Sequence, residues 1–304
     1  MHIGPMETPD WNDLRIFLAV ARFRTISATG ERLGIEHTTV SRRIDRLEAT
    51  LGVVLFDRRR SGYSLTEAGR SLIPHAEKME SALNEAIDES AGAGARVNGT
   101  VRVGTPEAFG ICVLAPNLAR LQGEHPGLHV QLMAQPQFPS LVTREVEILV
   151  TLEPPTVGRY KITRLGYVDY FLYSSRAYRD AHPDIHDLSD LVHHSFVDYV
   201  HDGSVSARYR ILEELIPQPD RCFTTTSVLA QRAAAAAGMG LVLLTPYVAE
   251  QSDDLVCIFP DRALMTRDLW IAAPEDLLRI RRIRVVWDHI RRLVEQRPEH
   301  FRRN

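Results

Sequence analysis

Apolar positions near the N-terminus recur with the period of an α-helix. Val40, Ile44 and Leu47 are spaced by four and three residues, which places them on one buried face of a helix. Gly34 lies just before this helix, where a tight turn between helices favours the left-handed backbone that glycine adopts without strain. The pattern predicts two short helices joined by a tight turn over residues 25–48, the layout of a helix-turn-helix.

The opposite face of the second helix carries hydroxyl, imidazole and guanidinium groups, which hydrogen-bond to base edges and phosphates. The candidate DNA contacts on this helix are His37, Thr38, Thr39, Ser41, Arg42 and Arg43. Periodicity alone leaves two interpretations open, a DNA-reading helix and a helical hairpin with a solvated polar face. The residues that follow favour the first interpretation.

Two short strands are predicted after the second helix, over residues 53–57 and 63–65. The tip of this hairpin carries three further candidate DNA contacts, Arg58, Arg59 and Arg60. Arginine suits both phosphate contact and a narrow minor groove, so the hairpin is typical of a wing. Residues 22–62 contain nine arginines and five acidic residues, a balance of +4, whereas the whole chain has a net charge of −3. Positive charge is therefore concentrated where DNA would bind.

A long helix is predicted after the hairpin. Its apolar residues repeat at intervals of four and three, which is the pattern of a coiled-coil seam. The seam residues are Leu72, Ala76, Met79, Leu83 and Ala86. The pattern predicts a dimer, and a helix docked on its own domain is the alternative. Residues 91–98 include two glycines and predict a hinge that ends the helix.

Strand and helix patterns alternate over the rest of the chain. In residues 99–166 the order is strand, helix, strand, short helix and strand, with the short helix at residues 141–146. A second alternating set lies in residues 167–266, and a strand at 269–273 and a helix at 277–294 follow. Alternation of this kind is the signature of parallel βαβ units and predicts doubly wound sheets.

A set of residues spread over the two N-terminal helices and the hairpin recurs in one known family. They are Val40, Ser41, Arg42, Ile44, Leu47, Glu48, Leu51, Gly52, Leu55, Phe56, Arg58, Leu65, Thr66, Ala68 and Gly69. On these residues the segment resembles the winged helix-turn-helix of LysR-type transcriptional regulators. Outside it the resemblance is one of element pattern and extends over nearly the whole chain.

The resemblance implies a chain of α+β and α/β parts: an N-terminal winged helix-turn-helix, a long linker helix, and a two-lobed, doubly wound α/β effector-binding domain like a periplasmic binding protein. The implied bounds are a flexible tail at 1–9, the DNA-binding domain at 10–66, the linker at 67–98, and an effector-binding domain at 99–304, with lobe I at 99–166 and 267–304 and lobe II at 167–266. The resemblance also implies a homodimer or homotetramer that binds double-stranded promoter DNA and a small-molecule effector and needs no cofactor. RNA polymerase is a further candidate partner.

Three residues depart from the family pattern. Glu36 and His37 stand where the family most often has Ser-Gln, so the serine N-cap and a glutamine base contact are both replaced. Phosphates would repel Glu36 unless it faces away or accepts a hydrogen bond from a cytosine amino group. Gly30 replaces a common alanine inside the first helix, where glycine costs roughly 1 kcal/mol.

In two-lobed domains of this kind, the ligand lies at the carboxyl ends of the strands, near helix N-termini that offer free backbone N–H groups. The candidate effector-binding residues are Thr105, Pro106, Glu107, Gln135, Thr151, Glu153, Asp198, Tyr199, Thr226 and Ser227. Thr226 and Ser227 are also ordinary helix N-caps, which is the alternative explanation for them. Glu107, Glu153 and Asp198 would make the cleft electronegative at neutral pH, which favours a neutral or cationic effector.

Other chemistry finds little support in the sequence. No nucleophile elbow, phosphate-binding glycine loop or HExxH pair is present, so we do not expect an enzyme. His182 and His186 have a spacing that can hold a metal on a helix, but Pro183 favours a loop there, so we expect no metal site. The isolated cysteines are expected to be inert thiols, with a peroxide-sensing pair as the alternative, and they are Cys112, Cys222 and Cys257.

The start of the chain lacks the apolar run of a secretory signal, and no stretch is long and apolar enough to span a membrane. We therefore expect a cytoplasmic protein with no membrane partner.

Two functions remain open. The first is a ligand-responsive regulator that reads a pseudo-palindromic promoter site, and the second is a solute- or metal-sensing module that acts mainly through protein contacts.

Overall fold

In a computed structural model, the chain forms two compact units. The first consists of residues 1–95 together with 143–145, and the second of the other residues from 96 to 304. The structure describes residues 8–59, 62–90, 96–135, 141, 144–203, 209–216 and 218–301. Among these residues no helix is both long and apolar enough to cross a membrane.

The first unit is built from four helices and a two-stranded hairpin within the described residues. Its elements are α1 (Trp11–Phe23), α2 (Ile26–Leu33), α3 (His37–Leu51), β1 (Phe56–Arg59), β2 (Gly62–Leu65) and α4 (Glu67–Ser90). The strands pair antiparallel, with Phe56 opposite Leu65 and Arg59 opposite Gly62. The predicted helix-turn-helix, hairpin and long helix are therefore confirmed in order and kind. Arg60, at the hairpin tip, and residues 91–95 of the predicted hinge lie outside the described residues.

The turn between α2 and α3 depends on two glycines. Gly34 ends α2 in the left-handed region with φ +66°, as the sequence predicted. Gly30 lies where the turn passes close to α2, because a Cβ at this position would be 2.7 Å from the carbonyl oxygen of Ile35. The Ile35 N–H donates to the Gly30 carbonyl over 3.0 Å, so the contact belongs to the turn itself. Gly30 permits a close approach that alanine would block.

A single apolar core holds the first unit together. Phe17 of α1 packs against Phe56 of the hairpin, with ring centroids 5.3 Å apart, and Ile44 of α3 is fully buried in the same cluster. Burial of such large side chains supplies most of the favourable free energy of a small domain. The core therefore fixes α3 and the hairpin as neighbours on one rigid body.

The second unit is a mixed α/β structure. Its strands are β3 (Gly99–Thr105), β4 (Leu128–Ala134), β5 (Ile148–Thr151), β6 (Tyr160–Ser175), β7 (Ser195–Tyr199), β8 (Asp220–Thr225), β9 (Leu241–Leu244), β10 (Leu255–Cys257) and β11 (Met265–Pro274). Its helices are α5 (Ala115–Glu124), α6 (Arg176–Ala181), α7 (Leu212–Leu215), α8 (Val228–Ala236), α9 (Pro246–Ala249), α10 (Arg281–Glu295) and α11 (Pro298–Phe301). Short 3-10 turns span Asp190–His193 and Leu277–Arg279.

These strands follow the order β4-β3-β5-β11-β6-β9-β7-β8, with β10 paired to β6. Strand β3 is parallel to β4 and β5, and β7 is parallel to β8 and β9, which confirms the predicted βαβ units in both lobes. Strands β6 and β11 run antiparallel to each other and belong to both lobes. A register shift lies between Leu269 and Trp270, opposite Gly166.

Two local predictions in the second unit need correction. The predicted short helix at 141–146 is not present in its described residues, where Leu141 and Arg144 lie in turns, and residues 142–143 lie outside them. The first helix predicted in residues 99–166 is α5, and a π-helical segment, Phe109–Leu114, leads directly into it. Apolar spacing does not separate a π-turn from the α-helix that it joins.

Candidate DNA interface and effector cavity

Helix α3 has a fully buried inner face. Val40 and Ile44 are 0% exposed and Leu47 is 1% exposed, so the predicted stripe is confirmed. The residues of α3 that the sequence assigned to DNA differ in exposure. Three are exposed and three are half-buried: His37, Thr38 and Arg42, and Thr39, Ser41 and Arg43, respectively. The exposed and half-buried residues lie on one side of the helix because the apolar stripe occupies the other.

The arginines of α3 have different surroundings. The Arg43 guanidinium donates to Asp13 of α1 over 3.0 Å and to Asp10 over 3.2 Å, and Arg46 donates to the same two carboxylates. Asp13 is 2% exposed. Arg43 therefore holds α3 against α1. Arg42 is exposed and has no acidic partner among the residues that the structure describes.

The hairpin shows the same division. Arg58 donates to Asp45 over 2.6 Å and to Glu48 over 2.7 Å, which ties the hairpin to α3. Arg59 is exposed and, within the described part of the chain, has no acidic partner. Arg42 and Arg59 are thus cations whose charge is available to a phosphate.

The N-terminus of α3 lacks a side-chain cap. Glu36 occupies the N-cap position in extended conformation and makes no capping hydrogen bond, as expected from the loss of serine there. Backbone N–H groups in the first turn of an uncapped helix can bind a phosphate. The start of α3 therefore offers backbone N–H groups to a DNA phosphate.

The predicted dimer seam divides into two parts. Leu72 is half-buried and Ala76 is 0% exposed, and both pack into the core of their own unit. Ala76 is therefore not available to a second chain, which corrects the seam at this end. Met79, Leu83 and Ala86 are exposed on α4. Three exposed apolar residues on one long helix are the part of the seam that a partner helix could cover.

In the second unit, two adjoining cavities of about 20 Å³ each share Tyr170, Tyr199, Tyr209 and Val228 as lining residues. We call them together the tyrosine cavity. Of the ten candidate effector residues, four line it, namely Pro106, Glu107, Asp198 and Tyr199. The other six do not line it: Thr105, Gln135, Thr151, Glu153, Thr226 and Ser227.

Several of those six have local structural contacts instead. The Thr151 hydroxyl donates to the Glu153 carbonyl over 2.9 Å and accepts from the Glu153 N–H over 3.1 Å, which closes a turn after β5. Gln135 is exposed, and its N–H donates to the carbonyl of Thr105 over 3.2 Å. The alternative interpretation of Ser227 as an N-cap is confirmed, because its hydroxyl accepts from the Ala230 N–H over 3.3 Å.

Glu107 joins one lobe to the other. It follows β3 in lobe I, and its carboxylate accepts from the Ser227 hydroxyl and from the Val228 N–H, both over 2.8 Å. These two donors form the N-terminus of α8 in lobe II. A carboxylate at a helix N-terminus is stabilised by the free N–H groups and by the helix dipole. The Glu107 carboxylate is therefore held at the helix end by two hydrogen bonds.

Asp198 has a charged partner. It is 6% exposed, and it accepts from the Arg221 guanidinium over 2.9 Å, with the His201 ring 3.4 Å away. The predicted electronegative cleft is thus reduced at Asp198, which has an arginine partner, whereas Glu107 has only neutral donors. Sequence reasoning counted formal charges, but it could not find partners that lie far along the chain.

The cavity walls are phenolic and apolar. Burial raises the pKa values of Tyr170, Tyr199, Tyr209 and Tyr247 far above the usual range, so these side chains remain neutral hydroxyls. The rings of Tyr199 and Tyr209 are 5.4 Å apart. Such walls suit a small ligand that is largely uncharged.

Sequence reasoning missed most of the cavity lining, including Tyr170, Tyr209, Tyr247 and Gln231. Tyr170 offered a usable signal, because it lies in an apolar stretch and a buried phenol normally requires a polar partner. Gln231 offered a second signal, since a glutamine in an otherwise alanine-rich helix breaks its apolar face. Neither signal identified the partner or the cavity.

The histidine and cysteine candidates show no assembled centre. His182 ends α6 with its ring stacked on Tyr178 at 3.8 Å, and within the described residues no three His, Cys, Asp or Glu side chains form a metal-binding group. The cysteines are free thiols, and burial raises the pKa of each, at Cys112, Cys222 and Cys257. A raised pKa lowers the thiolate fraction and hence the reactivity of a thiol.

The fold and these sites define a winged helix-turn-helix protein with a two-lobed ligand-binding domain. Residues 11–70 match the family described as bacterial regulatory helix-turn-helix protein, lysR family, and residues 94–295 match the LysR substrate binding domain. The chain therefore belongs to the LysR family of transcriptional regulators.

The similar proteins are regulators of the same family. The HTH-type transcriptional regulator HdfR of Escherichia coli is 36% identical over 168 residues, which cover 53% of this chain and 60% of HdfR. The match thus spans about three fifths of the length of the curated relatives.

Among solved structures, a full-length OxyR variant from Pseudomonas aeruginosa has a TM-score of 0.70 at 20% identity and covers 93% of this chain and 98% of its own. LysG from Corynebacterium glutamicum with bound effector Arg has a TM-score of 0.66 at 18% identity, covering 94% and 98%. At these identities the two structures show a shared fold.

Proposed function

We propose that this protein is a transcription regulator whose helix α3 and hairpin bind promoter DNA. The observation that carries the proposal is the contrast between paired and unpaired arginines on one rigid surface. Arg43 and Arg58 are tied to carboxylates of the same unit, whereas Arg42 and Arg59 are exposed with no acidic partner among the described residues. Unpaired arginines beside an uncapped helix N-terminus supply the cations and N–H donors that phosphates bind.

The same proposal assigns the tyrosine cavity to a small-molecule effector that modulates DNA binding. It lies at the carboxyl end of β7 and beside the N-terminus of α8, where ligands of doubly wound domains bind. LysG, whose structure contains a bound effector, supports ligand response in a protein of this fold. Two chains would pair through Met79, Leu83 and Ala86 into a homodimer or homotetramer in the cytoplasm, with RNA polymerase as a further partner.

The test is the DNA affinity of Arg42→Ala on genomic fragments selected by the wild-type protein. We expect a loss of about 1–3 kcal/mol if Arg42 contacts a base, or a salt slope reduced by about 1 if it contacts a phosphate. Thermal stability should not change, because Arg42 is exposed and unpaired within the described chain. Fluorescence anisotropy over a range of salt concentrations measures both quantities.

Arg284→Ala is the matched control, since Arg284 is an exposed arginine on α10 in the other unit. It removes the same charge and should leave affinity and salt slope unchanged. Equal affinity of the Arg42→Ala and wild-type proteins would refute the assignment of α3. Binding without salt dependence or site preference would instead favour a module that acts through protein contacts.

A further inference from the structure

We infer that Glu107 determines the effector specificity of the tyrosine cavity by acting as a built-in anion at the N-terminus of α8. The protein would then exclude effectors that place a carboxylate at that helix end and accept an uncharged ligand that offers a hydrogen-bond acceptor. This inference rests on the proposed effector function of the cavity. It adds the chemical class of the ligand and the residue that selects it.

The first support is the geometry of the Glu107 carboxylate. Its two oxygens contact separate donors, Oε1 the Ser227 hydroxyl and Oε2 the Val228 N–H. Helix α8 has nine residues, and the bound N–H belongs to the first of them. An incoming carboxylate would compete for the same two donors and would be repelled by the charge already present. The site for a ligand anion is thus filled by the chain itself.

The second support is Gln231, one turn further along α8. Gln231 is 2% exposed, lines the tyrosine cavity, and its side-chain nitrogen has no hydrogen-bond partner among the described residues. A buried amide donor without an acceptor is costly, so such a group is normally satisfied by a ligand or a water molecule. The cavity of about 20 Å³ beside it has room for a water molecule or for an oxygen atom of a ligand. A ligand carbonyl or ether oxygen facing Gln231 would supply the missing acceptor.

The third support is the charge of the groups that line the cavity. Glu107 and Asp198 have donors within the protein, and the four tyrosines are neutral. No unpaired cation lines the cavity within the described residues, so nothing there would compensate a ligand anion. The charge of the lining, the filled helix end and the Gln231 donor all point to the same ligand class.

The experiment is amide hydrogen exchange of the full-length chain, read on a peptide over residues 222–236, for wild-type and Glu107→Ala proteins. Removal of the carboxylate should speed exchange at the start of α8 about tenfold, because the Val228 N–H loses a charged acceptor. Sodium acetate, titrated against sodium chloride at equal ionic strength, should restore protection in Glu107→Ala and leave the wild-type rate unchanged. Acetate then occupies the helix end that Glu107 normally fills.

Asp180→Ala is the charge-matched control, since Asp180 is an exposed residue of α6 in the same lobe. It should exchange like the wild type with and without acetate. If Glu107→Ala does not fold, Glu107→Gln replaces it, and its exchange should also be faster because the acceptor has lost its charge. The inference is overturned if exchange does not change on substitution, or if acetate protects both proteins equally. This readout does not involve DNA, so a failure here is distinguishable from a failure of DNA binding.

Discussion

At the scale of single residues, the surroundings of His194 hold its ring in the neutral state. His194 is 3% exposed, and its Nδ1 lies 3.3 Å from the Tyr178 hydroxyl. That hydroxyl accepts from the Ser195 N–H over 3.2 Å, so its own proton is free to be donated to Nδ1. Protonation of Nδ1 would remove this acceptor and place a charge in a buried site.

Because of this environment, we predict that the stability of the effector domain falls as pH falls. Burial lowers the pKa of His194. The nearby His182 and His193 lower this pKa further, and Asp190 opposes them. The unfolded chain, with an ordinary histidine pKa of about 6.5, then takes up its proton first. Stability is fully present above that pH and is lost as pH falls from it towards the lower pKa of the folded state.

Thermal unfolding at pH 7.5, 6 and 5 (about one unit either side of an ordinary histidine pKa) measures this dependence. The His194→Gln protein should show a shallower fall in midpoint than the wild type, since it has no group at this position that titrates. Identical pH profiles for the two proteins would show that His194 does not contribute.

Single residues also show where sequence reasoning reached its limit. The sequence identified Val40, Ile44 and Leu47 as buried because helical periodicity is a local property. It treated Gly30 as a cost, because the nearby Ile35 carbonyl is visible only once the turn has formed. It missed the Gln231 donor for the same reason, since burial of one amide depends on the whole lobe.

At the scale of elements, the DNA-reading helix is positioned by a charged clamp. Asp13 of α1 accepts from Arg43 over 3.0 Å and from Arg46 over 2.6 Å, and Asp10 contacts the same pair. The clamp fixes the angle between α1 and α3 in addition to the apolar core. Arg43 and Arg46 therefore orient α3, and Arg42 remains available to contact DNA.

We predict that Asp13→Asn destabilises the first unit by about 2 kcal/mol, because a nearly buried acceptor loses the charge that two guanidinium groups bind. Urea unfolding followed by circular dichroism measures the loss. Asp57→Asn is the matched control, since Asp57 is exposed on β1 and should change stability little. A stability equal to the wild type for Asp13→Asn would mean that the apolar core alone positions α3.

The sequence predicted helices and strands better than it predicted the contacts between them. Periodicity and turn residues predicted α2, α3 and α4, the hairpin and the alternation of the second unit. The π-helical segment at Phe109–Leu114 and the loss of the helix at 141–146 were not predicted, because both depend on how the chain packs on the sheet. The pairing of Asp13 with Arg43 and Arg46 was not predicted either. It depends on how α1 and α3 are placed against each other, which the periodicity of each helix does not give.

At the scale of the whole molecule, the two units supply different parts of a regulator. One presents unpaired arginines beside a helix N-terminus, and the other encloses a tyrosine-lined cavity in which Glu107 already occupies the end of α8. Contacts that join distant segments, such as Glu107 with Val228, decide the chemistry of the cavity. Of the ten candidate residues that followed from the family pattern, four line the cavity and six lie outside its lining; among those six, Thr151 closes a local turn and Ser227 caps a helix.

We expect paired copies of this chain to read DNA through α3 and the hairpin. Hydroxyl-radical footprinting of the full-length protein on a genomic fragment that it selects shows whether they do. We predict two protected patches related by dyad symmetry and separated by about one helical turn of DNA or a multiple of it, both weakened in Arg42→Ala. A single unsymmetrical patch, or no discrete protection at any salt concentration, would contradict it.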